Sequence, residues 1–420
     1  MKARTIAAAL ILYLPAAAPA LDVPDELKWP ETGAFPAYPP EADERRVRFS
    51  VLGSVDHDSN PFRLSDSTDP QATLGSSEKS DTLVRYGAGL KADLPARQQR
   101  ILLDAWVVQN DYHRFDVLDH TAYRAAAAWK WRTGESWSGD IAYSRRQFLA
   151  SLAELQAPIR DLVTADRAYL GGGYLLTPRW RARAAADWTR WDHEDPTRQS
   201  LDATIASGTL GLDYVTPLAN SVGGQLKYSA GDYPNREVVA GSPVDNSYRE
   251  LEGSVVAHWL VSGKSTLDAR VGYTDRRHDQ VPERDFDGVT GRLAYGWLIG
   301  AKTLLDFSAW REIQSTEDIS ASYILAQGWG VGPAWAPTVK LVFQAKYIRE
   351  DRDFRGDPGI ALSGAAERDD TFHGFAFAAG YAPRRYIRFS IAARVGERTS
   401  TIVGRDYEYD AVSATARLQF

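Results

Sequence analysis

The chain has no cysteine among its 420 residues. Disulfides, thiolate metal sites and a cysteine nucleophile are therefore excluded, as is the N-terminal cysteine that a lipoprotein needs. There is no glycine-rich phosphate loop. The seven histidines do not fall near an Asp and a Ser in a way that suggests a catalytic set. Past residue 20, no run of about 18 apolar residues occurs, which excludes a helical inner-membrane protein. The formal charge of -6 bears on solubility and partners, and gives no reason to expect nucleic acid.

What is present opens with "MKARTIAAALILYLPAAAPA". Lys2 and Arg4 precede a short apolar stretch, Ile6 to Leu14, and Ala18-Pro19-Ala20 has the A-x-A form of a cleavage site. This is the pattern of a secretory signal peptide over residues 1–20, too short to span a bilayer. Residues 21–44 are acidic and carry Pro24, Pro30, Pro36, Pro39 and Pro40. Proline removes ladder donors, so an extended periplasmic segment is expected there, either a disordered tail or an arm that docks a partner or plugs a lumen.

From residue 45 to 420 one pattern repeats. At the C-terminus Val412, Ala414, Ala416, Leu418 and Phe420 alternate with Ser413, Thr415, Arg417 and Gln419. The same period of two runs through "RVRFSVLGSV", "VRYGAGLKA", "TVKLVFQAKY" and "YIRFSIAARV", and it is the signature of strands with one apolar and one polar face. The segments run about 10 to 14 residues, twice the usual strand and long enough to cross a bilayer at a tilt. About eighteen such segments are expected, joined alternately by short turns and long polar loops, as in membrane-spanning barrels. The short turns are placed at Thr133, Thr177, Thr216, Val261, Gly300, "WAPT" from Trp335 and "APRR" from Ala382. The long connections are 57–81, 147–164, 232–246, 276–287 and 350–370. Aromatic residues near segment ends, among them Trp129, Trp259, Trp297 and Tyr381, fit an interfacial girdle. The fold expected is all-β: a transmembrane antiparallel up-and-down β-barrel with both termini periplasmic. In it Phe420 closes the lipid-facing row and acts as a signal to the barrel assembly machinery.

A barrel of this size holds water, so its polar face is a candidate pore lining. Candidate cations are Arg48, Arg85, Lys91, Arg124 and Lys130 in the first part of the chain. Arg181, Arg183, Arg270, Arg292, Lys340, Arg388 and Arg394 follow later. Candidate acids are Asp140, Asp187, Asp213 and Asp306. Cations outnumber acids on this face, so one reading is an interior that concentrates anions. The other is that neighbouring Arg and acid pair and hold the wall in register. Trp106, Trp191 and Trp310 have the parity to face inward. Between Gln147 and Thr164, Leu149, Leu152, Leu155, Ile159 and Leu162 recur at spacings of three and four, a helical stripe. It is either a constriction folded into the pore or a helix on the outer rim. Asp56-His57-Asp58 and Arg355-Gly356-Asp357 are short enough to occur by chance, so no metal or cofactor is expected.

"DSNPFRLSD" after the first strand, "YSRRQFLASL" from Tyr143 and "YLLTPRWRARAAADW" from Tyr174 together resemble the EpsL-type outer-membrane β-barrel family of exopolysaccharide operons. The resemblance implies a Gram-negative outer-membrane protein, not an enzyme, that exports a polysaccharide. It implies polysaccharide, outer-membrane lipid and the periplasmic or inner-membrane polysaccharide-synthesis components as partners. The alternatives on the residues alone are a general or substrate-uptake diffusion porin, a barrel enzyme that edits lipid or glycan, and a structural barrel closed by its loops.

Overall fold

The computed structural model describes residues 46–218, 220–239, 242–314, 323–355 and 368–420. The signal peptide and the Pro-rich extension expected over residues 1–44 lie outside the described residues. The first nine strands are β1 (Val47–Asp58), β2 (Asp81–Ala96), β3 (Gln99–Tyr112), β4 (His120–Thr133), β5 (Trp137–Leu149), β6 (Leu162–Thr177), β7 (Trp180–His193), β8 (Ala203–Val215) and β9 (Ser221–Asp232). Two three-residue strands, β10 (Glu237–Val239) and β11 (Ser242–Val244), form a separate hairpin within a loop. The rest are β12 (Tyr248–Ser262), β13 (Ser265–His278), β14 (Phe286–Leu298), β15 (Thr303–Gln314), β16 (Tyr323–Thr338), β17 (Leu341–Arg355), β18 (Arg368–Arg384), β19 (Ile387–Ser400) and β20 (Tyr407–Gln419).

Eighteen of these strands form one sheet in which each pairs antiparallel with its sequence neighbour, and β1 pairs with both β2 and β20. The sheet is therefore a closed barrel without an edge, so every ladder N–H and C=O in hydrocarbon has a partner. At the seam the Phe420 N–H donates to the Phe49 carbonyl at 2.8 Å and the Phe49 N–H donates to Phe420 at 3.1 Å. Both ends of the barrel chain thus sit at the end that carries the short turns.

The alternation read from the sequence divides outside from inside. On β1, Val47, Phe49, Val51 and Val55 are exposed while Ser50, Ser54 and Asp56 are buried. On β20, Val412, Leu418 and Phe420 are exposed while Ser413 and Gln419 are buried. An exposed apolar surface of this extent is stable only against lipid. Aromatic residues bound the band at both ends. Trp137 lies against Tyr174 at 4.6 Å and Trp180 against Tyr214 at 5.5 Å near the short turns. Tyr86, Tyr143, Trp188, Tyr228 and Tyr273 lie toward the long loops, all exposed.

The structure corrects the sequence reading in three places. Trp335 to Thr338 and Ala382 to Arg384 belong to strands, and the turns fall at 339–340 and 385–386. Pro337 and Pro383 sit where the register shifts, between Trp335 and Thr338 and between Tyr381 and Arg384, because a bulge accommodates a residue that has no N–H to give. Lys340 consequently lies in a turn, not on the barrel wall; its N–H donates to Thr338 Oγ1 at 3.2 Å. The helical stripe at 147–164 is also not one helix but a strand end, one helical turn and a strand start. Leu149 and Leu162 are cross-strand partners, and the helix is the single turn Leu152–Leu155.

The two faces give a direct test. Leu226, 60% exposed, stands mid-strand on the lipid face between Leu210 and Gly253, and Gln225 is its interior neighbour. Leu226→Arg is expected to cost about 2–4 kcal/mol, and Gln225→Arg far less because water reaches it. Equal urea midpoints for the two variants in vesicles would contradict the facing assigned here.

Candidate pore lining and constriction

Period-two alternation puts the interior side chains in register across neighbouring strands, so the interior charges meet in cross-strand pairs. Arg85 forks onto Asp56, 2.8 Å away. Arg124 pairs with Asp104 at 3.1 Å and Arg167 with Asp187 at 2.7 Å. Asp213, 3% exposed in its side chain, takes Arg181 at 2.8 Å and Arg183 at 2.6 Å. Arg270 reaches Glu252 at 2.7 Å and Glu312 at 2.6 Å, and Arg292 reaches Glu312 at 3.3 Å. Lys130 stands opposite Asp140, and Asp306 stands between Gly296 and Gly332. Most of the wall is thus a net of ion pairs, the second of the two readings offered by the sequence.

One sector differs. The interior positions of β18, β19 and β20 from the short turns up to Ala376, Arg394 and Ala411 carry no acid. Arg388 stands directly opposite Arg417, and Arg394 lies between Ala376 and Ala411. On the adjoining strands Arg48 stands opposite Lys91; Lys91 in turn stands opposite Asp104, which also takes Arg124, while Asp56 takes Arg85 and Asp93 takes Arg100. Like charges placed opposite each other repel, and that repulsion acts along this sector. Arg417 also donates to Ser50 Oγ at 3.1 Å and lies 4.9 Å over the Trp106 ring. Trp106 in turn lies across Gly89, where any Cβ would come within 2.3 Å of the indole. Trp310 donates to Glu350 Oε2 at 2.7 Å. Trp191, which has the same parity, is 1% exposed and packs with Ala150 and Leu155 of a loop.

That loop, 150–161, folds inward at the long-loop end. Its helical turn touches two apolar clusters with successive side chains. Leu152 joins Phe62, Leu64, Phe115 and Leu118, whereas Leu155 joins Trp191, Ile205 and Tyr248. Between them Glu154 crosses to the other wall. Arg398 Nη1 donates to its Oε1 at 2.8 Å and Arg368 Nη1 to its Oε2 at 3.3 Å. Around the ring β5, which leads into this loop, and β19, which carries Arg398, are separated by β4, β3, β2, β1 and β20. Gln156 Nε2 adds bonds to the carbonyls of Arg63, at 2.9 Å, and Gly404, at 3.4 Å. At the loop's base Asp161, fully buried, faces Arg198 at 3.2 Å and accepts from the Asp195 N–H at 3.1 Å. The loop therefore reaches across the ring at this end, the placement expected of a constriction, and does not pack on the outer rim.

The motif "DSNPFRLSD" supports it from below. Asn60 accepts from the Leu64 N–H at 2.9 Å and donates to the Leu64 carbonyl at 2.8 Å. Arg63, with a φ of 53°, forks onto Asp58 at 2.8 and 3.0 Å and lies 3.5 Å over the Tyr409 ring. The charged residues that fix the constriction, Glu154, Arg368 and Arg398, were not singled out from the sequence. No local pattern joins groups that far apart in the chain.

Residues 254–420 match the family described as "Putative beta-barrel porin 2". No curated protein matches the chain. Among solved structures it is similar to OccK2 (OpdF) of Pseudomonas aeruginosa in complex with glucuronate, at 12% identity, covering 89% of this chain and 98% of that one with a TM-score of 0.47. It is similar to a BenF-like porin from Pseudomonas fluorescens Pf-5 at 8% identity, over 90% and 99%, TM-score 0.48. It is also similar to OccAB3 of Acinetobacter baumannii at 9% identity, over 89% and 99%, TM-score 0.46. A closed barrel with a lipid-facing band and a β-barrel porin match belongs in the outer membrane of a Gram-negative bacterium. The matched family is one of porins, which are channels and not enzymes.

Glu154 sets a pH expectation. Burial pushes its carboxyl up, but the charges of Arg398, Arg368 and Arg352 outweigh burial and hold it well below the usual carboxylate range. A depressed value means the contact contributes fully above the ordinary carboxylate value and is lost only as pH falls through the lowered one. Conductance set by this loop is therefore expected to be the same at pH 8 and pH 5 in planar bilayers. A several-fold rise at pH 5 would show that the contact had already broken.

Proposed function

We propose that the protein is an outer-membrane porin whose lumen favours anions. The interior of β18, β19 and β20 near the short turns, with Arg388, Arg394 and Arg417 and no acid of its own, carries this reading. Elsewhere on the wall most of the cations named above have an acid within ion-pair distance. Here the field is positive over a stretch of interior wall and raises the local concentration of anions. Steering of this kind discriminates by sign and weakens as salt rises, with a screening length of about 8 Å at physiological ionic strength.

Export of an acidic or neutral exopolysaccharide is the finer reading, supported by the resemblance carried by Asp58–Asp66, Tyr143–Leu152 and Tyr174–Trp188. It brings with it the polysaccharide-synthesis components as partners. Insertion by the barrel assembly machinery through Phe420 serves either reading. The inward loop obstructs a thread of sugars more than it obstructs a small ion, so the simpler porin is the preferred form.

Replacing Arg388, Arg394 and Arg417 together by Glu is expected to reverse the sign of the reversal potential under a salt gradient, while leaving heat-modifiable folding intact. Cation selectivity in the wild type would rule out the charge argument. For the export reading, loss of the gene should trap polymer in the periplasm or stop its synthesis, and unchanged surface polysaccharide would dismiss it.

A further inference from the structure

The chain enters the barrel through a rim of positive charge. Eight short turns close this end, at 97–98, 134–136, 178–179, 216–220, 263–264, 299–302, 339–340 and 385–386. Arg97, Arg179, Lys264, Lys302, Lys340 and Arg385 lie in them, and Glu135 is their one acid. The wall just inside continues the excess. Arg388 stands opposite Arg417, and Arg48 lies on the strand beyond. All three are half-buried, so their charged groups border the water of the mouth. The entry point is fixed on this wall, because the Asp93 N–H donates to the Arg46 carbonyl at 2.7 Å. The preceding segment, residues 21–44, carries Asp22, Asp25, Glu26, Glu31, Glu41, Asp43 and Glu44 against the single Lys28. An acidic segment is thus tethered beside the basic surface that complements it. Arg417 is level with Leu52, six residues along β1 from Arg46, or roughly 20 Å. A flexible segment of this length spans on the order of 25 Å, and a fully extended one about three times that. A tether that matches its span acts as a local concentration in the millimolar range, so weak pairing at each carboxylate is enough to hold it. Its five prolines reduce the entropy lost when it is held extended.

We propose that residues 21–44 fold back into the short-turn mouth and dock on the cationic turns and the Arg48, Arg388 and Arg417 wall, as a tethered acidic arm that competes with anions for this sector. The proposal rests on the basic sector behind the anion-porin reading and adds to it a competitor built into the chain. The arm pairs with a field of cations spread over wall and rim, so it does not require any one arginine to be without other contacts. Arm and anion exclude each other, and salt weakens the hold of the arm, since the screening length falls from about 10 Å at 0.1 M to about 3 Å at 1 M.

The test is single-channel recording in planar bilayers at low salt, on the full chain and on a variant lacking residues 21–44. Deletion should raise the conductance several-fold and shift the reversal potential further toward anions, and both differences should fade in concentrated KCl. Replacing the seven acids of the arm by Asn and Gln, which keeps its length and prolines, should act as the deletion does. A synthetic peptide of residues 21–44 should restore the lower conductance to the deletion variant, and from one side of the bilayer only. With Arg388→Gln and Arg417→Gln added to the deletion, several-fold more peptide should be needed. Unchanged conductance on deletion would overturn the proposal and leave the basic rim to anionic lipid headgroups. A neutral arm that still lowers conductance, or a peptide equally active from both sides, would overturn docking by charge. Equal peptide sensitivity with and without the two arginine substitutions would overturn docking on this wall. The reversal potential of the deletion variant reads the anion preference alone, so failure of the porin reading is seen separately from failure of the arm.

Discussion

A peptide group in hydrocarbon has no water to turn to, and the architecture follows from that. A sheet in lipid has to close on itself. Once it is closed around an interior wide enough for water, each strand faces two solvents on alternate residues. The apolar row of Val51, Val55, Leu226 and Val412 and the polar row of Ser50, Asp56, Gln225 and Ser413 are the two halves of that one demand. Interior charges are then confined between neighbouring strands. A guanidinium with its carboxylate one strand away keeps the wall polar without giving it a net field, and Asp213 between Arg181 and Arg183 is the densest case. A sector that lacks acids, as around Arg388 and Arg417, stands out against this neutral wall.

What was legible in the sequence is what is local. The period of two reports the facing of each strand directly, and the strand number, the facing of Trp106 and Trp310, and the exposed Phe420 all came from it. Features that depend on irregularity were misplaced. Pro337 and Pro383 carry the composition of turns, yet each lies in a bulge that keeps the strand going for two or three residues more. The apolar spacing from Leu149 to Leu162 imitates a helix because a strand end, one helical turn and a strand start happen to place leucines three and four apart. The core of the constriction was not legible at all. Glu154 and Arg398 are separated by 244 residues, and nothing in either neighbourhood marks the other.

The inward loop also shows how a barrel without a conventional core still makes one. Its two apolar clusters lie inside the ring at the long-loop end, where Leu152 and Leu155 bring side chains from separate loops and strands together. Rigidity at the mouth is thus supplied by packing, whereas rigidity of the wall is supplied by the ladder. A change in the mouth can occur without any change in the strands, which is the condition a channel needs if its opening is to vary while its insertion does not.

The seam between β1 and β20 has a consequence for how the molecule is made. Arg417 meets Ser50 across 367 residues, so the last strand must find the first after everything between them is in place. Until it does, two strand edges remain open, each able to pair with another copy. Contacts of such long range are slow to form and leave a chain prone to aggregation in the meantime. A half-finished barrel therefore has no stable resting state on the way to the membrane, and its safe passage depends on something that guards those two edges until they join.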